Sequence, residues 1–211
     1  MKKAVLFDLD GTLWDSTPRL VESFNRVMEE NWPELGITVT LERMRSGMGM
    51  NRVDLRNHLF PSAPEEMREE LIGACFDAEV EYLRTHRGDP FPGMEEMLAT
   101  LSKDFFVGIV SNCQAGYIEA FLESIGVGRY ISDHECFATG LPKGKNIRLL
   151  MERNGIDRAI YVGDTQGDLD AADMAQVPFV YAAYGFGSVN RETAKIDAPA
   201  ELPVLVEEML G

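Results

Sequence analysis

Ala4-Val5-Leu6-Phe7-Asp8-Leu9-Asp10-Gly11-Thr12 decides how this chain folds. Ala4 to Phe7 is a short apolar run with no room for a helix before Gly11, so it is expected to be a buried parallel strand. In open α/β sheets ligands gather just beyond the carboxyl ends of strands, and residues two apart on extended backbone point to one side. Asp8 and Asp10 are therefore expected to share one crevice. Neighbouring carboxylates repel, and one ionises poorly unless a cation or a donor offsets the charge. Such a pair calls for a metal ion, a shared proton or both, although an Asp-Gly turn at a strand end would contain the same residues.

Outward from this strand the chain divides by texture. Thr17-Pro18 offers a helix start, and Leu20, Phe24, Val27 and Met28 carry helical spacing to about Asn31. Short helices are expected over Leu41 to Arg45 and Val53 to Leu59, with Gly47-Met48-Gly49 as a joint between them. Ser62 with Glu65 forms a capping-box pattern before a long helix whose face runs through Met67, Leu71, Cys75, Ala78, Tyr82 and His86.

From Pro90 onward strands alternate with helices. Strands are expected at Phe105 to Val110, Glu135 to Phe137, Ala159 to Val162 and Phe179 to Ala182. Helices are expected at Met94 to Leu101, Tyr117 to Ile125, Asn146 to Arg153, Leu169 to Ala175 and Pro203 to Leu210. That alternation implies an α/β fold with a doubly wound parallel sheet. The helical stretch between the first two strands far exceeds the dozen or so residues that a crossover needs, so it is an insertion. The expected division is an α/β core of residues 1–14 and 88–211 with a helical insertion at 15–87.

The 211 residues carry 35 acidic and 20 basic side chains, a formal charge of -15. Nucleic-acid binding relies on Lys and Arg neutralising phosphates, so a polyanionic partner is disfavoured. No apolar run approaches the ~20 residues needed to cross a bilayer, and Asp8 and Asp10 interrupt any leader-like stretch, so a cytoplasmic protein is expected. Cys75, Cys113 and Cys136 have no metal-ligand spacing and are expected to be reduced structural thiols. His58, His86 and His134 likewise lie at no ligand spacing. The eleven Met residues are expected to fill core.

Asp8-x-Asp10-Gly11-Thr12 resembles the first motif of the haloacid dehalogenase superfamily, whose members are mostly aspartate-nucleophile phosphohydrolases. Three further signals of that family follow in order. Ser111 ends the run Val107-Gly108-Ile109-Val110, with Asn112 beside it. Gly163-Asp164-Thr165-Gln166-Gly167-Asp168 follows the strand Ile160-Tyr161-Val162 and matches the family's Gly-Asp-x-x-x-Asp loop. The lysine signal is the weakest, because Leu141 stands where many relatives have Lys; Lys143 is preferred and Lys145 is the alternative.

The resemblance implies a Mg²⁺-dependent phosphatase, similar in pattern to phosphoglycolate phosphatases, with a small phosphorylated metabolite as substrate. Asp8 would be the nucleophile and Asp10 the acid and base. Asp8, the Asp10 carbonyl and Asp164 would hold Mg²⁺, with Asp168 orienting its waters, while Ser111 and Lys143 hold the transferring oxygens. A lysine belongs there because each close pair of like charges costs about 4 kcal/mol at an effective dielectric near 20. The insertion resembles the mobile cap of many such enzymes, and Arg45 and Arg52, flanking its glycine joint, are candidates for an anionic group on the substrate; a solvated helix face explains them equally well.

Three rivals remain in view. A haloacid dehalogenase would not need Asp10. Sugar-phosphate mutases of this branch carry a His a dozen residues past the nucleophile, where this chain has Leu20. A non-catalytic interaction protein on the same scaffold would be expected to lack motif acids, and none is missing here.

Overall fold

The structure, a computed structural model, describes residues 1–211. Its elements in chain order begin with β1 (Lys3–Phe7), β2 (Trp14–Asp15), α1 (Thr17–Asn31), α2 (Leu41–Gly47), α3 (Arg52–Leu59) and α4 (Arg68–Thr85). They continue with β3 (Asp89–Pro90), α5 (Met94–Leu101), β4 (Phe106–Val110), α6 (Tyr117–Ile125), β5 (Asp133–Glu135) and α7 (Lys143–Arg153). The chain closes with β6 (Arg158–Gly163), α8 (Gln166–Ala175), β7 (Phe179–Ala182), β8 (Ala194–Ile196) and α9 (Leu202–Leu210).

Six strands pair in the order β5-β4-β1-β6-β7-β8, all parallel. Alternation along each strand sends side chains to opposite faces. Val5, Phe7, Ile109 and Ile160 pack with α5, α6 and α9 on one face, whereas Leu6, Tyr161 and Phe179 pack with α7 and α8 on the other. Both faces are covered, as a parallel sheet requires. The chain leaves β1 toward β4 on one side and later returns to β6 on the other, so the strand order reverses at β1. A crevice opens beyond the carboxyl end of the strand at such a point.

The segment between β1 and β4 begins with four helices, α1 to α4, before α5 makes the crossover. Where it leaves and re-enters the sheet region, β2 and β3 pair antiparallel, Trp14 with Pro90 and Asp15 with Asp89. Trp14 is wholly buried and meets Phe121 of α6 edge-on, ring centroids 5.0 Å apart. This ribbon sets the two ends of the helical segment side by side over α6.

Several local expectations change. Ser16, not Thr17, stands at the N-cap position of α1, with no side-chain cap bond of its own, and Asp15 Oδ1 accepts from the Thr17 amide at 2.9 Å. The Ser62/Glu65 capping box does not form: Pro64 opens a single 3-10 turn at Glu65–Met67, and α4 starts only at Arg68. The buried face of α4 runs through Leu71, Ile72, Cys75, Glu79 and Leu83, leaving His86 exposed and placing Glu79 rather than Ala78 at its centre. β5 occupies Asp133–Glu135 instead of residues 135–137, because the chain turns at Phe137–Thr139 into Gly140. α7 begins three residues before the expected Asn146, since Pro142 has the fixed φ that starts a helix.

Candidate active site

β1 ends at Phe7, so Asp8 leaves the sheet at the switch point, and its amide donates to the Val162 carbonyl of β6 at 2.8 Å. Beyond Asp8 the strand geometry stops. Gly11 takes a φ of +82°, which a side chain would strain, and the chain bends back so that its amide donates to the Trp14 carbonyl at 2.9 Å. The two acids still share one cavity, as alternation implied, each with its own partners. Asp8 turns toward α7 and α8, and Asp10 toward α6.

The Asp8 side gathers buried charge. Lys143 Nζ donates to Asp8 Oδ1 at 2.9 Å and to Asp168 Oδ1 at 2.7 Å, with all three side chains buried. Lys143 is the first residue of α7. It reaches Asp168 because Gly144 lets the helices close: a Cβ there would stand 2.7 Å from the Ala171 carbonyl oxygen of α8. Lys145 is exposed.

Asp164 follows β6 directly and completes a triad of acids. One carboxylate oxygen each from Asp8, Asp164 and Asp168 lie within 4.8 Å of one another. Asp164 Oδ2 accepts from the Phe186 and Gly187 amides at 2.7 and 3.3 Å, and Thr12 Oγ1 donates to Oδ1 at 3.4 Å. Asp168 has two tasks. As the third residue of α8 it closes a capping box with Thr165, whose amide and hydroxyl donate to Oδ2 at 3.0 and 2.6 Å, while Oδ1 holds Lys143. Helix capping and charge organisation thus coincide in one side chain.

Burial dominates the electrostatics here. It pushes Asp164 up from the ordinary 3.8 to about 8, with Asp168 and Asp8 adding repulsion. Burial and then Asp168 also push Asp8 upward, against the pull of Lys143. The lysine is held well above its usual value because the attraction of Asp168 and Asp8 outweighs its desolvation. This is a hard-oxygen donor set with surplus negative charge, and it fits a small divalent cation such as Mg²⁺.

Asp10 has a different setting. Its Oδ1 accepts from Ser16 Oγ at 2.5 Å and from Tyr117 OH at 2.9 Å. Burial raises its carboxyl to about 6, with those hydroxyls pulling the other way.

A cavity of about 100 Å³ opens from this acid cluster. Asp8, Asp10, Ser111, Asn112 and Lys143 are among its lining residues. Ser111 stands just past β4, and Asn112 Nδ2 donates to the Gly49 carbonyl at 3.3 Å, linking the sheet to the glycine joint. Arg52 lines it as well. Arg45 does not line the cavity. Its Nη2 bonds Asp15 Oδ2 at 2.6 Å and its Nε bonds Thr17 Oγ1 at 3.3 Å, which ties it to the start of α1. Met44 is in the core as expected, 1% exposed, and with Met48 and Met50 it also lines the cavity.

Four polar residues at the site had no sequence assignment: Thr12, Tyr117, Glu79 and Gln114. Glu79 left a trace in the sequence, as an acid three and four residues from apolar neighbours on a helix face that is otherwise buried. Tyr117 left none, since a tyrosine opening a helix has many ordinary uses.

Comparison with known proteins places the chain in context. The model of the haloacid dehalogenase-like hydrolase family matches residues 5–182. A phosphoglycolate phosphatase of Agrobacterium fabrum is 28% identical over 221 residues, covering 98% of this chain and 93% of that protein. One of Rhodospirillum rubrum is 28% identical over 200 residues, covering 88% of this chain and 81% of the relative. Among solved structures, a haloacid dehalogenase-like family hydrolase from Streptococcus pneumoniae superposes with a TM-score of 0.82 at 18% identity, covering 97% of this chain and 98% of that one. No helix of the chain is long and apolar enough to cross a membrane.

Proposed function

This chain belongs to the haloacid dehalogenase-like hydrolase family, and from that premise we propose that it is a Mg²⁺-dependent phosphatase of phosphoglycolate-phosphatase-like type, hydrolysing a small phosphomonoester through an aspartyl-phosphate on Asp8. The observation that carries the reading is Lys143 Nζ held between Asp8 and Asp168, with Asp164 beside them and with Asp8 and Lys143 lining the cavity.

In this reading Lys143 occupies Asp8 Oδ1, so Oδ2 is the atom that attacks phosphorus. The new Asp8–phosphorus bond forms as the bond to the leaving alcohol breaks. Asp10 gives its proton to that alcohol oxygen. Ser16 and Tyr117 occupy Oδ1 of Asp10, which leaves Oδ2 to carry the proton, and an approaching phosphate dianion raises the carboxyl further. Water then attacks phosphorus, its proton goes to Asp10, and Asp8 is released with inorganic phosphate. Ser111, Asn112 and Lys143 hold the transferring oxygens. Bound by Asp8, Asp164 and the Asp10 carbonyl, Mg²⁺ would supply the charge that lets a carboxylate meet a phosphate. Asp168 acts through Lys143 and through water.

The proposal extends to organisation and setting. Residues 15–87 act as a cap over a core of 1–14 and 88–211, with the β2–β3 ribbon as the neck. Three free cysteines accord with a reducing compartment, and we assign the protein to the cytoplasm. The test is turnover of a panel of small phosphomonoesters with Mg²⁺, with and without chelator, for wild type and Asp8→Asn. Phosphate release that chelator and Asp8→Asn both abolish supports the reading. Release that survives either one overturns it.

A further inference from the structure

The cavity extends past its phosphoryl end into residues that have no role in the chemistry above. Leu20 and Phe24 of α1, Met44 of α2, Met48, Leu55 of α3 and Phe76 of α4 form its walls. A leaving group held there loses water on most sides, so its own chemistry must match theirs. The volume corresponds to about three waters at liquid density, room for a short chain only.

One acid interrupts this apolar lining. Glu79 is 3% exposed and sits on the buried face of α4. Its one protein partner is Gln114, whose Nε2 donates to Oε1 and also to the Phe76 carbonyl at 3.3 Å. No cation pairs with Glu79, and its Oε2 has no protein donor. Burial, and the field of Asp10 after it, push the carboxyl well above its ordinary range. That oxygen is not sealed from solvent, and Glu79 lines the substrate cavity, so a molecule that displaces water there must supply the donor.

Two cations line the cavity: Lys143 is held between Asp8 and Asp168, and Arg52 has one acidic partner. Arg52 Nε bonds Glu69 Oε1 at 2.8 Å, and its guanidinium lies 5.1 Å from the Phe76 ring centroid. A substrate carboxylate would lie in the same small cavity as Glu79 and Asp10, where like charges force one group to stay protonated.

Resting on the phosphatase reading, we propose that Glu79 and Gln114 form the leaving-group subsite, and that the enzyme selects phosphomonoesters of an alcohol with a short apolar body and a hydroxyl or ammonium donor for Glu79, against alcohols that carry a carboxylate. This narrows the substrate class and departs from glycolate as the leaving group. The apolar walls set the length preference, at about fourfold per buried methylene. Glu79 sets the terminal-group preference.

The test compares kcat/KM, with Mg²⁺, for butyl phosphate, its terminal hydroxy, amino and carboxy analogues, and phosphoglycolate. Wild type is expected to favour the hydroxy or the amino ester over the carboxy ester and phosphoglycolate by about tenfold or more. Glu79→Gln keeps an acceptor for Gln114 and is expected to lower the amino-to-carboxy ratio about tenfold, mainly through KM. A carboxy ester or phosphoglycolate that equals the best of the others in wild type overturns the proposal while leaving the phosphatase reading intact. So does a ratio unmoved by Glu79→Gln in a variant that melts like wild type. If no ester in the panel turns over, the phosphatase reading fails and this proposal goes with it. The wild-type ranking decides the matter even where the variant folds poorly.

Discussion

Lys143 Nζ stands 2.9 Å from Asp8 Oδ1, in an ion pair whose two side chains are 5% and 4% exposed. The pair joins the start of α7 to the end of β1, and removing one partner of a buried pair leaves the other charge uncompensated, at a cost of about 3–5 kcal/mol. Lys143→Met is therefore expected to lower kcat by about two to three orders of magnitude, the scale of losing one oxyanion donor, and to lower the melting temperature as well. Lys145→Met, at an exposed position, is expected to stay within about twofold of wild type. Steady-state kinetics and thermal melts of the two variants check this.

Gly11 and Asp164 are packed without slack. A Cβ on Gly11 would lie 2.3 Å from Asp164 Oδ2, and the φ of +82° already disfavours a side chain. Gly11→Ala is expected to push the Asp164 carboxylate out of place, weakening Mg²⁺ binding about tenfold or more and reducing kcat with it. Mg²⁺ titration of activity reads the effect directly.

The acid cluster also sets a pH dependence. The Asp164 carboxyl is raised from 3.8 to about 8 in the folded chain, mainly by burial. A carboxyl raised by folding stabilises the metal-free protein below its unfolded value and loses that contribution as pH rises through the folded one. The chelated protein is thus expected to melt lower at pH 8 than at pH 5, and a loss of about 2 kcal/mol would appear as roughly 4–8 °C. Mg²⁺ must displace the same protons, so its stabilising effect is expected to grow over that interval. Melts at both pH values, with chelator and with Mg²⁺, test the sign. Asp164→Asn should flatten the metal-free slope.

Arg45 is tied to Asp15, and its side chain is 44% exposed. Exposed pairs of this kind contribute about 0–1 kcal/mol. Arg45→Ala is expected to leave kcat/KM within about threefold and to cost at most about 1 kcal/mol of stability, measured by denaturant titration alongside kinetics.

The contrast between Arg45 and Lys143 shows what the sequence can and cannot carry. The strands β1, β4 and β6 and the residues at their ends were legible because each is a short apolar run followed at once by polar residues. Where the local pattern is short or set by partners elsewhere, it left little trace. β8 is three residues at the sheet edge with Lys195 in its middle, and β2 and β3 are two residues each, positioned by Trp14 against α6. Asp8 and Asp10 share one cavity, as alternation on extended backbone implied, but their partners Lys143 and Tyr117 lie far off in sequence and left no local sign. Arg45 was not legible: an arginine's reach is set by its nearest acid, and Asp15 lies thirty positions away in sequence.

The central claim is that Asp8 takes the phosphoryl group itself. Acid quench during turnover with Mg²⁺, followed by peptide mapping, measures this most directly. We predict a transient phosphoryl adduct on the peptide containing Asp8, absent in Asp8→Asn and in chelator. Steady turnover with no adduct at any quench time, and with Asp8→Asn keeping more than about a tenth of wild-type activity, would contradict the account.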